Sequence, residues 1–410
     1  MGRPLEGIRV LACEIQVAGP YCTMMLADQG ADVVKVERPG AGDTAREGAP
    51  ILTGADGQRQ SGYFLRFNRN KRSITVNLKT DAGREVFRAL AARADVLVDN
   101  FRPGWLDGLG LGYGRLSRDN PRLIYASITG FGSLEGFRGP YSNRPAYDIV
   151  AQAMGGLMHT CGQADGPPTW LGIALGDIAS GMLAAYAIML ALWERQHTGR
   201  GQYVDISMYD AVIALAERSV TAYSLTGLVL ERGKEPFIAP WGPFRCRDGW
   251  VALIVPTEGD WEKFCRAMGR PDLVGHPDTS SGPARAASMA GWLGDVIRSW
   301  FAERSVDDAV TALLAAGVPA GPVQTARDVY HCPHVRARQL LVDIPDPVLG
   351  SVRLVGPPVK MSASPHPRRE PAPLLGQHTQ DVIVQWLGYT PDQVAALRRD
   401  GALGGGMDGG

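Results

Sequence analysis

The longest apolar stretch of the chain runs from Ile173 to Trp193. Ile178, Met182, Leu183, Tyr186, Met189, Leu190 and Leu192 supply apolar surface nearly all round, with small Ala and Gly between, so the pattern predicts a buried helix. One carboxylate, Asp177, stands near its start. At 21 residues the run also matches a membrane span in length. Against that, Asp177 would cost roughly 2.5–3.5 kcal/mol near the middle of a bilayer, although it lies toward one end, and Gly176, Ser180 and Gly181 dilute the run. Gln196 to Arg200 read as a soluble helix stop, with cations at the negative helix end and Gly199 just past it. The stretch reads as a core helix, and no membrane partner is expected.

Upstream, shorter apolar runs alternate with helical ones. Ile8 to Cys13 is a β-rich run, Gly19-Pro20 opens a helix through Leu26, and Asp32 to Glu37 is a second strand. The unit repeats: Ser73 to Asn77 as strand, Asp81 to Ala94 as helix, Asp95 to Asp99 and Arg122 to Ile128 as strands. Such alternation predicts an α/β fold, with an open, Rossmann-like parallel sheet covered on both faces. Chemistry is then expected at the carboxyl ends of the strands. Past the central helix come a strand at Gln202 to Met208 and a helix at Asp210 to Leu225. Pro236, Pro240, Gly242 and Pro243 then read as a linker, followed by a strand at Trp250 to Val255 and helices at Asp260 to Met268, Ala284 to Trp300 and Val306 to Gly317. The expected layout is a large domain over 1–225, a smaller α+β domain over 226–335, a return to the large domain over 336–400, and a flexible glycine-rich tail over 401–410.

Several residues near those strand ends suit an anionic ligand. Arg38 follows the second strand, Asn68-Arg69-Asn70-Lys71-Arg72 precedes the third, and Asn100-Phe101-Arg102-Pro103-Gly104 follows the fourth. Arg and Lys take phosphates and Phe101 can lie against a purine, although solvated surface cations would read the same way. No GxGxxG occurs around Ala18-Gly19-Pro20-Tyr21-Cys22 and no GxxxxGK[ST] occurs anywhere, so phosphate would be held mainly by side chains. Asp177 has two readings that can coexist: an N-cap accepting an orphan N–H, or a nucleophile toward an activated acyl group, with Gly172 and Gly176 allowing close approach.

Charge and cysteine usage narrow the partners. Lys plus Arg and Asp plus Glu number 42 each, so the formal net charge is zero and no basic field points to nucleic acid or anionic lipid. The six cysteines lack zinc-like spacing, and the start MGRPLEGIRVL has no apolar signal region, which points to a reducing cytoplasm without a metal site.

An ordered set of motifs then carries a resemblance. Gly19-Pro20, Ala31 to Gly40 (ADVVKVERPG), Asn68 to Ser73 (NRNKRS), Asn100 to Gly104, Arg144-Pro145-Ala146-Tyr147-Asp148, Asp177, Gly199 to Gln202 and Pro373 to Thr379 (PLLGQHT) resemble the class III coenzyme A transferases, the family of formyl-CoA transferase, CaiB and BaiF. The resemblance covers about residues 4–400. It implies a large domain built from both chain ends, a small domain between them, and an interlocked, ring-like homodimer. It also implies that Asp177 attacks an acyl-CoA thioester, giving an aspartyl mixed anhydride and CoA thiolate. CoA-contacting positions carry over to Val17, Ala18, Arg38, Lys71, Arg72, Asn100, Phe101, Arg102 and Tyr147. CoA and acyl-CoA are substrates, and no permanently bound cofactor is implied.

The chain departs from the family pattern in two places. Its Gln16-Val17-Ala18 displaces the glutamine of formyl-CoA transferase by one residue, and the short Ala239 to Phe244 replaces that enzyme's glycine-rich gating loop, which disfavours formate and oxalate. Tyr147 stands where the related α-methylacyl-CoA racemases need a histidine, and a tyrosine with pKa about 10 is a poor base at neutral pH. The reading is a CoA transferase acting on an acyl-CoA and a free carboxylic acid, most like the members that use succinyl-CoA and small dicarboxylates. The alternatives are a racemase-like enzyme and a non-catalytic CoA-binding dimeric protein.

Overall fold

A computed structural model describes residues 2–404; residues 405–410 of the predicted flexible tail lie outside the described residues. By its contacts the chain divides into two units, one of 1–158, 170–218 and 337–410, the other of 159–169 and 219–336. The second unit therefore begins before residue 226 and also takes in the excursion 159–169.

The first unit is built on six parallel strands: β1 (Arg9–Cys13), β2 (Asp32–Glu37), β3 (Arg72–Thr75), β4 (Val96–Asp99), β5 (Ile124–Thr129) and β6 (Tyr203–Ser207). Their order across the sheet is β3-β2-β1-β4-β5-β6, so the chain reverses direction of travel between β1 and β4. That switch opens a crevice beyond the carboxyl ends of those two strands, the usual ligand position in such sheets.

Both faces of the sheet are covered, which is why its strands are nearly continuous runs of apolar side chains. On one face Val10, Val33, Val96 and Ile124 meet α1 (Ala18–Asp28) and the long central helix. On the other, Leu11, Val34, Ile74 and Leu97 meet Phe87 and Leu90 of α2 (Asp81–Ala91). Each fully buried Leu, Ile or Val contributes about 1.5–3 kcal/mol.

Two more helices place the crevice wall. The short α3 (Asp148–Met154) leads toward the central helix α4 (Leu175–Thr198), and Ala151 of α3 packs with Met208 and Val212 of α5 (Met208–Leu215). Gly181 lets α4 lie tightly on α1: a Cβ there would come 2.7 Å from the Ala18 carbonyl oxygen. Gly199 closes α4 in the left-handed conformation, φ 69°, as glycine permits.

The expected all-round burial of α4 is corrected. Ala184, Ala185, Ile188, Ala191 and Leu192 are buried, but Met182, Leu183, Tyr186, Met189, Leu190 and Trp193 form an exposed stripe on the other side, with Trp193 68% exposed. The helix is long and apolar enough to cross a membrane by composition alone, and its buried face packs against α1 and the sheet.

The second unit has an antiparallel sheet of β7 (Trp241–Arg245), β8 (Trp250–Ile254) and β9 (Ala320–Pro322), in the order β9-β8-β7. Trp261 and Phe264 of α6 (Glu258–Met268), Phe301 of α7 (Trp292–Ala302) and Leu313 of α8 (Val306–Ala315) fill its core. Three local expectations change here. Of the presumed linker residues Pro236, Pro240, Gly242 and Pro243, the last two lie in strand β7, because its residues pair with β8. Ala284 to Trp300 is two helices, Gly282–Ser288 and α7, restarted at Gly291. Asp210 to Leu225 likewise divides into α5 and Glu217–Thr226.

The chain rejoins the first unit at Ala337. Its helix α9 (Thr379–Leu387) adds Val382, Ile383 and Trp386 to the core under α2. The start of the predicted flexible tail is packed: Ala402 and Leu403 are buried, and Leu403 bridges to Val76.

Candidate active site

Beyond the carboxyl ends of β1, β4 and β5 lies a cavity of about 680 Å³, within the first unit. Val17, Ala18 and Arg102 line it from the strand ends, Tyr147 and Asp148 from the start of α3, and Asp177 from the first turn of α4. Tyr147 stands largely exposed. Asn100 also lines it, but its side chain is engaged: Ile15 N donates to Oδ1 at 2.9 Å and Nδ2 donates to Ile15 O at 2.8 Å. This two-point clamp holds the loop after β1, so Asn100 shapes the wall that Val17 and Ala18 continue.

Asp177 does not cap its helix. The N-cap of α4 is Ala174, which has no capping side chain, and Asp177 comes three residues later. The free N–H of Gly176 donates instead to Asp148 Oδ1 at 2.7 Å, so a carboxylate from α3 does the capping. Asp148 is fully engaged, because Oδ2 also accepts from Gln152 Nε2 at 2.8 Å and Trp170 Nε1 at 3.2 Å. Gln152 further donates to Ile173 O at 2.9 Å, fixing the turn into α4. The cap reading of Asp177 is thereby overturned; Asp148, which the sequence offered only as part of a motif, and Trp170, which sequence reasoning passed over, join the cavity.

What remains is a half-buried carboxylate that accepts no hydrogen bond from any described residue. Burial raises its pKa to about 7, and the charge of Asp148 pushes the same way. A desolvated carboxylate is a better nucleophile than a solvated one, and the positive end of α4 still favours its ionised form. Such a group can attack an electrophilic carbonyl carbon delivered from the cavity.

A second cavity of about 530 Å³ lies at the carboxyl ends of β1 and β2 and just past β3. Arg38, Asn77 and Lys79 line it. Arg38 donates through Nε to Gly42 O at 3.1 Å. Phe101 and Trp105, with ring centroids 4.3 Å apart, line both cavities, as does Ile15. An elongated ligand can therefore lie with a ring and phosphates by Arg38 and Lys79 and its other end by Asp177. Lys79 was missed by sequence reasoning; the signal was its position just past a strand's carboxyl end.

Two residues expected to contact CoA have their side chains engaged elsewhere. Lys71 is buried, and its ammonium spends all three N–H groups on Glu14 Oε1 at 2.9 Å, Pro20 O at 3.0 Å and Asn68 Oδ1 at 3.0 Å. Arg72 opens β3 at the amino end of the sheet, away from the carboxyl ends, where Nε and Nη2 grip both oxygens of Asp32 and Nη1 donates to Gln385. Neither lines either cavity. Among the described residues no group of His, Cys, Asp and Glu is arranged to hold a metal.

Comparison with known proteins gives a consistent picture. The family model described as CoA-transferase family III matches residues 5–379. The succinyl-CoA:mesaconate CoA-transferase of Haloarcula hispanica is 40% identical over 383 residues, covering 92% of this chain and 95% of that protein. The succinyl-CoA--D-citramalate CoA-transferase of Chloroflexus aurantiacus is 36% identical over 402 residues, covering 97% of each. Among solved structures, a CAIB/BAIF family protein from Brucella suis superposes with a TM-score of 0.82 at 34% identity, covering 94% of this chain and 100% of that one.

Proposed function

The chain belongs to CoA-transferase family III and is a CoA-transferase, and from that premise we propose that its donor is succinyl-CoA and its acceptor a small dicarboxylic acid. The observation that carries the chemistry is the uncapped, half-buried carboxylate of Asp177 at the mouth of the larger cavity. Its oxygen attacks the thioester carbon, the C–S bond breaks, and an aspartyl–succinyl anhydride and CoA thiolate result. The thiolate then attacks the aspartyl carbonyl, releasing succinate and leaving an aspartyl–CoA thioester. The acceptor carboxylate displaces CoA from that thioester to form a second anhydride, and thiolate attack on the acceptor's carbonyl gives the new acyl-CoA and frees Asp177. No hydrolysis step enters, which conserves the activated bond.

In this reading Arg38 and Lys79 hold phosphates, Phe101 faces the purine, and the pantetheine arm passes Ile15 and Trp105 toward Asp177. The enzyme works as a homodimer in the cytoplasm. The exposed stripe on α4, spaced as Met182, Tyr186, Met189 and Trp193, supports a second copy as its cover, since single chains rarely leave such a face to water. Six unpaired cysteines suit a reducing compartment. The test is acyl exchange from labelled succinyl-CoA to a panel of free acids. Transfer to short dicarboxylates is expected, and transfer to none of the acids would reject the reading.

A further inference from the structure

Arg144 lines the larger cavity, yet the reaction as proposed leaves it unused. It stands in the loop before α3, close ahead of Tyr147. Its guanidinium lies over the ring of Tyr141, 4.1 Å from the centroid, and Tyr141 rests edge-on against Phe131 at 5.8 Å. The loop is tied by its own hydrogen bonds: Arg144 N donates to Tyr141 O at 2.8 Å, and Gly139 N donates to Ser142 Oγ at 3.1 Å. Stacking of this kind fixes the guanidinium plane and leaves its edge N–H groups free, the arrangement that receives a carboxylate on two parallel bonds. Among the described residues the guanidinium meets no hydrogen-bond acceptor and no ion-pair partner.

Asp177 is not that partner. Burial and Asp148 account for its raised pKa, and no cation offsets them. The two groups thus line the same cavity of about 680 Å³ without pairing. The other cation lining this cavity is Arg102, which directly follows Phe101, a residue shared with the second cavity; Arg144 is the one that stands beside Tyr147 and Asp148, and we assign it to the acyl side.

We propose that Arg144 binds the carboxylate that does not react, on both the succinyl donor and the acceptor acid, and so makes the cavity selective for short dicarboxylic acids over monocarboxylic ones. The inference rests on the CoA-transferase reading of the same cavity. One end of the acid meets Asp177 and the other meets Arg144; a monocarboxylate leaves the guanidinium without its anion and forfeits that interaction.

The experiment compares wild type, Arg144→Gln and Arg144→Lys with two substrate sets: succinyl-CoA with short dicarboxylates, and butyryl-CoA with monocarboxylates. Melting temperatures confirm that the variants are folded. Arg144→Gln should lose about 10- to 100-fold in kcat/KM for the dicarboxylate set, mostly through KM, and far less for the monocarboxylate set, with Arg144→Lys in between. Equal losses for both sets, or a raised KM for every acyl-CoA whatever its acyl group, would make Arg144 a CoA contact and overturn the inference. Wild type that transfers CoA without preferring dicarboxylates overturns it while leaving the functional reading intact. Wild type that transfers to no acid rejects the functional reading itself.

Discussion

Just past the carboxyl end of β1, Glu14, Lys35, Asp43 and Lys71 form a buried cluster in which every charge meets an opposite one; at the start of α4, Asp148 and Asp177 are both carboxylates, and only Asp148 is answered. In the first region Lys35 Nζ is 2.9 Å from Asp43 and Lys71 Nζ is 2.9 Å from Glu14, and none of the four is more than 3% exposed. Burial opposes the charge on Lys35, yet Asp43, Glu14 and Glu37 hold its pKa above the usual value, while burial draws Lys71 down to about 8 despite Glu14. In the second region Asp148 collects three donors and Asp177 collects none. Compensation fixes the first region as scaffold. The charge left uncompensated in the second is the one available for chemistry.

The largest expected effect separates the two regions outright. Asp177→Asn removes the attacking oxygen and keeps the shape, so transfer should fall by at least about 1,000-fold. The folded-state pKa of about 7 lies above the ordinary 3.8, so ionised Asp177 costs stability. That cost is absent below pH about 4, grows as pH rises and is complete above about 7. Asp177→Asn should therefore melt at or above the wild-type temperature at pH 8, with the gain vanishing near pH 4. A marked drop in melting temperature would return Asp177 to the role of a structural residue. Because Asp148 supplies the cap, Asp177→Ala should show no capping loss either.

Lys71→Met tests the other region. It removes the nearer of the two cations beside Glu14, leaving Lys35 at 3.9 Å, and should cost about 3–5 kcal/mol in denaturant unfolding, with the KM for acyl-CoA unchanged in whatever protein folds. Unchanged stability with a raised KM would mean that the ammonium serves the ligand after all.

Next in size is the contrast between cations at opposite ends of the sheet. Arg38→Ala should raise the KM for acyl-CoA by about 10- to 100-fold, the loss of a charged hydrogen bond worth about 1.5–3 kcal/mol. Arg72→Ala should leave KM alone, since its guanidinium serves Asp32. Equal effects from both would erase the distinction between the ends.

The smallest effect concerns the answered carboxylate. Asp148→Asn keeps an acceptor for Gly176 N–H but turns an amide toward the donors Gln152 and Trp170, costing about 1 kcal/mol. Removing its charge should also lower the pKa of Asp177 and shift the rise of activity with pH to lower pH. An unmoved pH profile would show that Asp148 does not act on Asp177 through charge.

How much of this was legible in the sequence depends on the range of the interaction. Strands such as Asp32–Glu37 announce themselves through local apolar runs, and Asp177 stands out as the lone carboxylate opening an apolar helix. The order β3-β2-β1-β4-β5-β6 is settled by packing between distant segments and leaves no local mark. Lys71 and Arg72 misled because a basic run looks the same whether its carboxylate partners are absent or arrive from Glu14 and Asp32, far earlier in the chain. The cap failed for the same reason: Asp148, 28 positions before Gly176, takes the Gly176 N–H that Asp177 seemed placed to accept. For α4, composition gives apolar surface all round but does not reveal that this chain covers only one side.

The central claim is that Asp177 becomes covalently acylated. Incubating the wild-type protein with succinyl-CoA and then hydroxylamine should convert an activated carboxyl group into a hydroxamate. Peptide mass spectrometry should find the change on Asp177, in a stoichiometry that depends on succinyl-CoA and is lost without it. A hydroxamate on Asp148 or another carboxylate, with Asp177 unmodified while transfer proceeds, would contradict the account.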